Sequence, residues 1–271
     1  MKKIFLIAFY FSLSLTSLFG QKNEDKTLFI TYKITYKLGK ELTKEGYLFV
    51  HEGTKYFFTS RSYFKEEIKK YSFNEAKNEH AINIMQGENL GEYAYSDFEN
   101  SLHYATRLKG SRTIKTKESI SNITWEKSND SIVSQKYHCY PYVTSFRGRT
   151  YTAHVSDSVK YNYGPWKFHS FKGLPVFIED SKKQVRWELT NLTYIDRTKT
   201  LEYISFIKNR LENLEEMELK NYVERYDQTR GYRHLIDNYP KLPDDFQKEK
   251  SKKQITRTGI ELEYEWEKGK L

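Results

Sequence analysis

The sequence predicts a mainly β protein of the β-rich α+β class. We expect a large curved antiparallel meander sheet or half-barrel, with one amphipathic helix in the C-terminal third. Three observations lead to this prediction. Apolar and polar residues alternate in many short segments, as they do in half-buried strands. The 23 Tyr, 17 Phe and 4 Trp supply core material that suits sheet faces. One charged segment repeats its apolar residues every three or four positions instead, which is typical of a helix.

The N-terminus has the features of an export signal. Lys2 and Lys3 precede an apolar run, and Gly20 offers a small residue for cleavage. A single membrane anchor is the alternative, but the run is short for a span and no basic flank follows it. Because Cys139 is the only cysteine, a lipoprotein is excluded. We expect residues 1–20 to be a cleavable Sec-type signal and the mature protein to be periplasmic or secreted, with no membrane span.

Residues 21–271 are predicted to form one β-rich domain. Residues 28–38 alternate between apolar and polar side chains, which predicts a long antiparallel strand with one wet face. A hairpin is expected about Glu52 and Gly53. The apolar phase slips by one residue near Asn191, and such a slip predicts a β-bulge.

The pattern changes in the C-terminal third. Residues 206–230 carry Ile207 and Leu211 within a helical apolar stripe, so a single helix that packs on the sheet is expected there. Residues 236–252 contain a proline-punctuated stretch that predicts a linker. Residues 254–266 alternate again and are predicted to form a terminal strand.

The charge distribution argues against nucleic acid as a partner. The formal net charge is +9, and loss of the two signal lysines would leave +7. Basic residues are interleaved with acidic ones nearly everywhere, and no arginine-rich block is present. This pattern indicates a solvated surface, with at most a weak bias toward acidic polymers of the envelope.

No familiar catalytic or metal-binding motif is present. The 7 histidines do not pair at metal-ligand spacing, so no metal or cofactor is expected. His138 and Cys139 are adjacent, but neighbours on a strand point to opposite faces and cannot form a dyad. Either His154 or His169 could approach Cys139 through the fold. The favoured interpretation of Cys139 is a small buried hydrophobe.

The stretch from Tyr163 to Asp180 concentrates glycine and proline among large aromatic residues. We interpret it as a corner between strands rather than as an active-site loop, because it contains no metal cluster or activated nucleophile and its one acid pair, Glu179 and Asp180, is of the kind that usually closes a hairpin. Four of its aromatic residues and two others could still line a groove. The hypothesised ligand- or partner-binding residues are Trp125, Trp166, Phe168, Phe171, Phe177 and Trp187.

The central third of the chain resembles the GLPGLI family, a group of exported proteins of Gram-negative bacteria. The family's name motif corresponds to the stretch Gly173-Leu174-Pro175-Val176-Phe177-Ile178. Loss of its second glycine to Val176 suggests a strand start at that residue. The resemblance implies location and broad class, but no activity or catalytic residues. The motif residues, which we expect to be structural, are Cys139, Gly148, Arg149, Gly164, Pro165, Gly173, Leu174 and Pro175.

Three functions are compatible with these observations. The first, which we favour, is a non-enzymatic binding or carrier protein of the cell envelope, whose partner would be an apolar ligand, a peptide or an outer-membrane protein. The second is an envelope hydrolase that uses Cys139 or a carboxylate. The third is a structural accessory subunit of an outer-membrane complex. The absence of clustered catalytic groups in the sequence favours the first and third over the enzyme.

Overall fold

The prediction of a mainly β fold is confirmed by the computed structural model, which describes residues 26–39, 41–60, 63–64, 90–109, 112–230, 257 and 259–267. The predicted signal (1–20) and linker (236–252) lie outside these ranges. In chain order, the strands are β1 (Lys26–Tyr36), β2 (Leu42–His51), β3 (Thr54–Ser60), β4 (Tyr63–Phe64), β5 (Leu90–Asp97), β6 (Leu102–Lys109), β7 (Arg112–Ser119), β8 (Glu126–Lys127), β9 (Ile132–Ser134), β10 (Tyr137–Phe146), β11 (Arg149–Ser156), β12 (Leu174–Asp180), β13 (Val185–Asp196) and β14 (Glu216–Glu218).

These strands form one sheet in the order β14-β7-β6-β5-β3-β2-β1-β13-β12-β11-β10-β8, with β4 beside β2 and β9 beside β10. The sheet therefore consists of two meanders that meet where β1 pairs with β13. Within the described ranges, the pairings are antiparallel except for β14 with β7.

The sheet is strongly curved, as one contact across it demonstrates. Nine strand-to-strand steps separate β7 from β10, which would place them about 43 Å apart in a flat sheet. Yet Arg147, which follows β10, contacts Glu118 of β7 with 2.6 Å between nitrogen and oxygen. The two wings of the sheet therefore turn toward each other, and the concave face lies between them.

Both faces of the sheet bury side chains. The concave face carries the larger core, in which Ile30, Tyr32, Ile34 and Trp187 are fully buried. The convex face of β1 was predicted to be wet, but Phe29 is buried there under a helix. This local burial could not be inferred from alternation, because the covering helix comes from a distant part of the chain.

The helical region differs from the predicted single helix over residues 206–230. Helix α1 (Arg197–Glu212) begins earlier, where Asp196 accepts a hydrogen bond from Lys199 N as its N-cap. Strand β14 then interrupts the helical region before α2 (Leu219–Arg230) begins. The interruption is stabilised by β7, because Lys115 forms an ion pair of 2.8 Å with Glu216 and donates its backbone N–H to Glu215.

The terminal strand expected over residues 254–266 is absent from the part of that segment that the structure describes. Residues 259–264 are irregular and are followed by a short 3₁₀ helix (Glu265–Glu267). The alternation in sequence was misleading because Glu261, not its apolar neighbours, is buried. The backbone N–H groups of Leu262 and Glu263 both donate to the Arg147 carbonyl rather than to a strand ladder. We call residues 259–267 the C-terminal strap.

Two finer sequence predictions are confirmed. The hairpin between β2 and β3 turns at Glu52 and Gly53. The β-bulge predicted near Asn191 is present, because Thr31 pairs with Asn191 whereas Tyr32 pairs with Leu189. In the described ranges, no helix combines the length and the apolar character that crossing a membrane requires.

Candidate functional site

The six aromatic residues that were hypothesised to bind a ligand are mostly part of the core. Phe168, Phe171 and Trp187 are at most 2% exposed, so they fill the concave face. Trp125 and Trp166 are half-buried and pack on the same core. Phe177 is also partly buried against this core, and its ring stacks on His154 with 4.9 Å between centroids. Ligand contact stays a prediction for these three half-buried residues.

The loop that contains these aromatics is organised around a buried lysine. Lys55 of β3 is 1% exposed, and its ammonium reaches the carbonyl oxygens of Trp166, Phe168 and Gly164 at 2.8, 3.0 and 3.5 Å. Burial, and then the nearby charge of Lys167, lowers the pKa of Lys55 to about 7. Trp166 has a φ of 54°, a strained conformation for a large residue, and its carbonyl points at this lysine. The stretch is thus a structural corner, as the sequence suggested.

The motif residues of this corner also have structural roles. Pro175 accepts a hydrogen bond from Tyr32 through its carbonyl oxygen at 2.9 Å. A Cβ on Gly173 would lie 2.2 Å from the Ser156 carbonyl oxygen, so only glycine fits there. Strand β12 begins at Leu174, two residues before the start that the sequence suggested, because Leu174 pairs with Ser156. The remaining members are all buried: Gly164, Pro165 and Leu174.

Gly148 and Arg149 connect the β10–β11 turn to the C-terminal strap. Gly148 has a φ of 76°, and a Cβ there would lie 2.9 Å from Leu262. The Arg149 guanidinium donates to the carbonyl oxygens of Gly259 and Ile260 at 2.8 and 2.9 Å. It also pairs with a buried aspartate, Asp180, at 2.7 Å. Both motif residues therefore hold the strap in place.

The strap inserts one carboxylate into a cluster of cations. Glu261 is 7% exposed and contacts Lys167, Arg107 and Arg147, the last two at 2.6 and 3.2 Å. Burial alone would raise the pKa of Glu261, but Lys167 and the two arginines overcome that effect and hold the pKa at about 2. Glu118 of β7 shares Lys167 and Arg147 with it. This charge cluster joins both wings of the sheet.

A row of polar residues next to this cluster resembles parts of a hydrolytic site. Ser96 and His103 are neighbours across β5 and β6, with 2.8 Å between Oγ and Nδ1, and Glu118 follows across β7. The adjoining cavity measures about 10 Å³, which is the room that one water needs. Glu118 is already paired with two cations, and the space admits no substrate. The row is therefore a buried polar contact.

Cys139 is buried in β10, as predicted, whereas His138 is exposed. Burial raises the pKa of the Cys139 thiol to about 11, and the thiol donates to the Tyr137 carbonyl at 3.5 Å. His154 bonds Ser134 at 3.0 Å, and His169 donates to the Ser121 carbonyl at 3.0 Å. Among the described residues, no histidine is hydrogen bonded to the thiol, so the chain provides no base that would activate it.

A partly enclosed cleft lies on the convex side, between the last turn of α1 and the strands beneath it. It has a volume of about 210 Å³. We call it the helix–sheet cleft, and its lining residues are Thr54, Tyr56, Tyr95, Asp97, Lys115, Lys208, Leu211 and Glu212. The strands position this set in register, because Thr54 pairs with Asp97 and Tyr56 with Tyr95.

Several polar groups in the cleft are available to a ligand. The Tyr95 hydroxyl, the Lys208 ammonium and the Glu212 carboxylate have no hydrogen-bond or ion-pair partner among the residues that the structure describes. Burial, together with the neighbouring Tyr104, raises the pKa of Tyr95 to about 12, so its hydroxyl stays protonated. Hydrogen bonds from Asn100 lower the pKa of Asp97, so that carboxylate stays ionised. The cleft therefore offers both donors and acceptors.

Sequence reasoning missed these residues. Strand β3 carries aromatic residues on both faces, so alternation did not reveal that Lys55 points inward and Tyr56 outward. The cleft also depends on α1, whose last turn lies over strands that are distant in sequence, from β3 (Thr54–Ser60) to β7 (Arg112–Ser119). For metals, the part of the chain that the structure describes contains no group of three or more His, Cys, Asp or Glu side chains that could hold an ion.

Comparison with known proteins identifies no family. No protein-family model and no curated protein sequence matches the chain. Two solved structures of PNGF-II, in space groups C2 and P21, are similar over 73% of this chain, with TM-scores of 0.47 and 0.44 and sequence identities of 17% and 15%. The chain spans 32% of the length of each PNGF-II chain. A likeness this distant does not assign a shared fold or function.

Proposed function

We propose that this chain is a non-enzymatic binding protein of the bacterial cell envelope and that the helix–sheet cleft is its ligand site. The observation that carries the proposal is the combination of a molecule-sized volume with polar groups that have no partner among the described residues. Small-molecule sites are concave and place a few polar groups to orient the ligand. The cell envelope enters the proposal from the signal-like N-terminus and from the resemblance to exported proteins.

The position of the cleft favours a small polar ligand over an apolar one. Aromatic side chains fill the concave face, and the cavity beside the charge cluster holds only about one water. On the convex side, Ile204, Ile207 and Leu211 of α1 pack against the sheet and are at most 9% exposed. The apolar face of α1 is therefore occupied by its own packing on the sheet. The cleft at the helix end is polar instead.

The hydrolase alternative receives less support. A general acid needs a pKa near the working pH, but the pKa of Asp97 is lowered. The thiol of Cys139 is buried, and its pKa is raised to about 11. The accessory-subunit alternative remains a proposal, which capture of partners from native envelopes by the full chain would test.

Ligand titrations monitored by NMR test the proposed function. The ¹⁵N-labelled mature protein would receive neutral monosaccharides, free amino acids and phosphorylated sugars in separate experiments. We expect at least one set to shift the amide signals of Tyr95, Asp97 and Glu212, with no conversion of the probe. A Tyr95→Ala variant should lose the response, whereas Tyr194→Ala, a control at a 65% exposed tyrosine on β13, should keep it. Shifts confined to other regions, or turnover of a probe, would contradict the proposal.

A further inference from the structure

We propose that the ligand of the helix–sheet cleft is an uncharged, pyranose-sized sugar unit, an inference that rests on the function proposed above. The floor of the cleft provides the first argument. The ring of Tyr95 stacks on Tyr104 with 4.7 Å between centroids, and Tyr56 lies 6.2 Å from Tyr95 on the other side. Because neighbouring rings face each other, the row presents ring edges and hydroxyl groups to the cleft, and such a surface matches a ligand that carries both C–H and hydroxyl groups around one ring.

The charge of the lining provides the second argument. Asp97 and Glu212 contribute two negative charges, and Lys115 and Lys208 contribute two positive charges, so the lining is formally neutral. Lys115 is moreover paired with Glu216 at 2.8 Å. A ligand with one net charge would face a like charge in so small a space, which costs binding energy. An uncharged ligand meets no such repulsion.

The hydrogen-bonding capacity of the rim provides the third argument. Lys208 offers only donors, Glu212 only acceptors, and the Tyr95 hydroxyl can do either. A hydroxyl group donates and accepts, so neighbouring hydroxyls of one sugar can satisfy all three side chains at once. The Asp97 oxygens already accept from Asn100 N and Nδ2 at 3.0 and 2.8 Å and from the Glu99 backbone, so Asp97 contributes mainly its charge to the rim.

The volume sets the size of the ligand. At about 210 Å³, the cleft is smaller than the roughly 300–1,000 Å³ of sites that hold drug-sized molecules. Leu211, which is 1% exposed, closes the apolar side below the helix. One sugar ring is therefore the unit that fits, either as a free monosaccharide or as the terminal unit of a glycan.

The test is a set of titrations of the full mature chain, followed by NMR. The probes are glucose, galactose and N-acetylglucosamine, with glucitol as an acyclic analogue, glucose 6-phosphate as a charged analogue and serine as a zwitterion. We expect at least one pyranose to shift the amides of Tyr95 and Glu212, and its acyclic and charged analogues to bind at least about tenfold more weakly. Methyl glycosides separate the two sources, since equal binding of the glycoside indicates a glycan terminus and its loss indicates a free monosaccharide.

Variants of the cleft residues measure what individual side chains contribute to sugar binding. Tyr95→Ala should weaken sugar binding by roughly three- to tenfold through loss of the ring edge and the hydroxyl, and Tyr95→Phe should show the smaller loss of the hydroxyl alone. Lys208→Met should also weaken binding, whereas Lys220→Met, at an exposed lysine of α2, should not. Preference for serine or for glucose 6-phosphate at the cleft would overturn the sugar but keep the proposed function. If no probe shifts the cleft amides, both the sugar ligand and the proposed binding function are refuted.

Discussion

Replacing Lys55 with methionine tests whether one buried ammonium organises the loop from residue 163 to 171. The substitution keeps the length of the side chain but removes its donors. Phe168 O would retain a bond from Gly164 N at 3.0 Å, but among the described residues Trp166 O would be left without a donor. The substitution removes hydrogen bonds from a charged group and leaves one buried carbonyl unpaired. Together, these two effects should lower the free energy of unfolding by about 2–4 kcal/mol. The burial cost of the ammonium, which methionine does not bear, is the opposing effect.

The pH dependence separates these two effects. The pKa of Lys55 is about 7 in the folded chain, whereas 10.5 is the ordinary value for a lysine, so the unfolded chain binds more protons between these limits. The contribution of Lys55 to stability therefore rises with pH across this window, by up to about 1.4 kcal/mol per pH unit. The deficit of Lys55→Met relative to wild type should consequently grow from neutral to alkaline pH.

Urea unfolding monitored by tryptophan fluorescence would measure the deficit at several pH values. Lys33→Met, at an exposed lysine of β1, is the matched control and should change stability little. Hydrogen exchange should also show faster opening of residues 163–171 in Lys55→Met alone. If Lys55→Met is as stable as wild type at every pH, with the loop equally protected, then the ammonium does not organise the loop and the reasoning is refuted.

Three further substitutions or reactions test other parts of the structure. Glu261→Gln removes the carboxylate that three cations share and leaves Arg147 and Lys167 with Glu118, so it should cost about 3–5 kcal/mol in urea unfolding at neutral pH. Glu263→Gln is the exposed control. The pKa of Glu261 is about 2 when folded and 4.5 is the ordinary value for a glutamate, so this stabilisation should vanish as the pH falls through that window. Equal acid sensitivity of both variants would argue against it. Cys139 should react with iodoacetamide far more slowly in the folded protein than in urea, because its thiol is buried and its pKa is raised. Rapid labelling of the native chain would contradict that burial. Gly173→Ala should lower the free energy of unfolding by about 1–3 kcal/mol, since its Cβ would lie 2.2 Å from a backbone oxygen. Gly259→Ala, whose Cβ would have its nearest neighbour at 3.9 Å, should be tolerated. Equal stability of the two variants would refute the steric argument.

Local patterns in the sequence were sufficient for the strands but not for what joins them. The slip near Asn191 predicted a bulge because side chains on a strand alternate with a period of two residues. The same logic failed for the strap, where Glu261 points inward to cations that lie 94 to 154 residues earlier in the chain. An alternating segment does not reveal such partners, since its periodicity is the same whether an inward side chain is apolar or paired with a buried charge.

The candidate site could not be predicted from the sequence, for a related reason. Trp187 and Phe168 were predicted to contact a ligand, but large aromatic residues more often fill a core, as these two do. The cleft instead combines ordinary residues, among them Tyr95 and Glu212, from elements whose mutual position only the folded sheet and α1 define. The helix begins earlier in the chain than its apolar stripe suggested, because Asp196 caps its N-terminus.

The late position of Glu261 has a consequence for how the molecule is made. A chain that emerges from the ribosome or a translocon N-terminus first will have all of β1 to β13 available before the strap arrives. Until then, Arg107 lacks its carboxylate partner, and Arg147 and Lys167 have only Glu118 of β7 to offset their mutual repulsion and to join the two wings. Complete pairing of the charge cluster therefore waits for a segment that is made after every strand it joins.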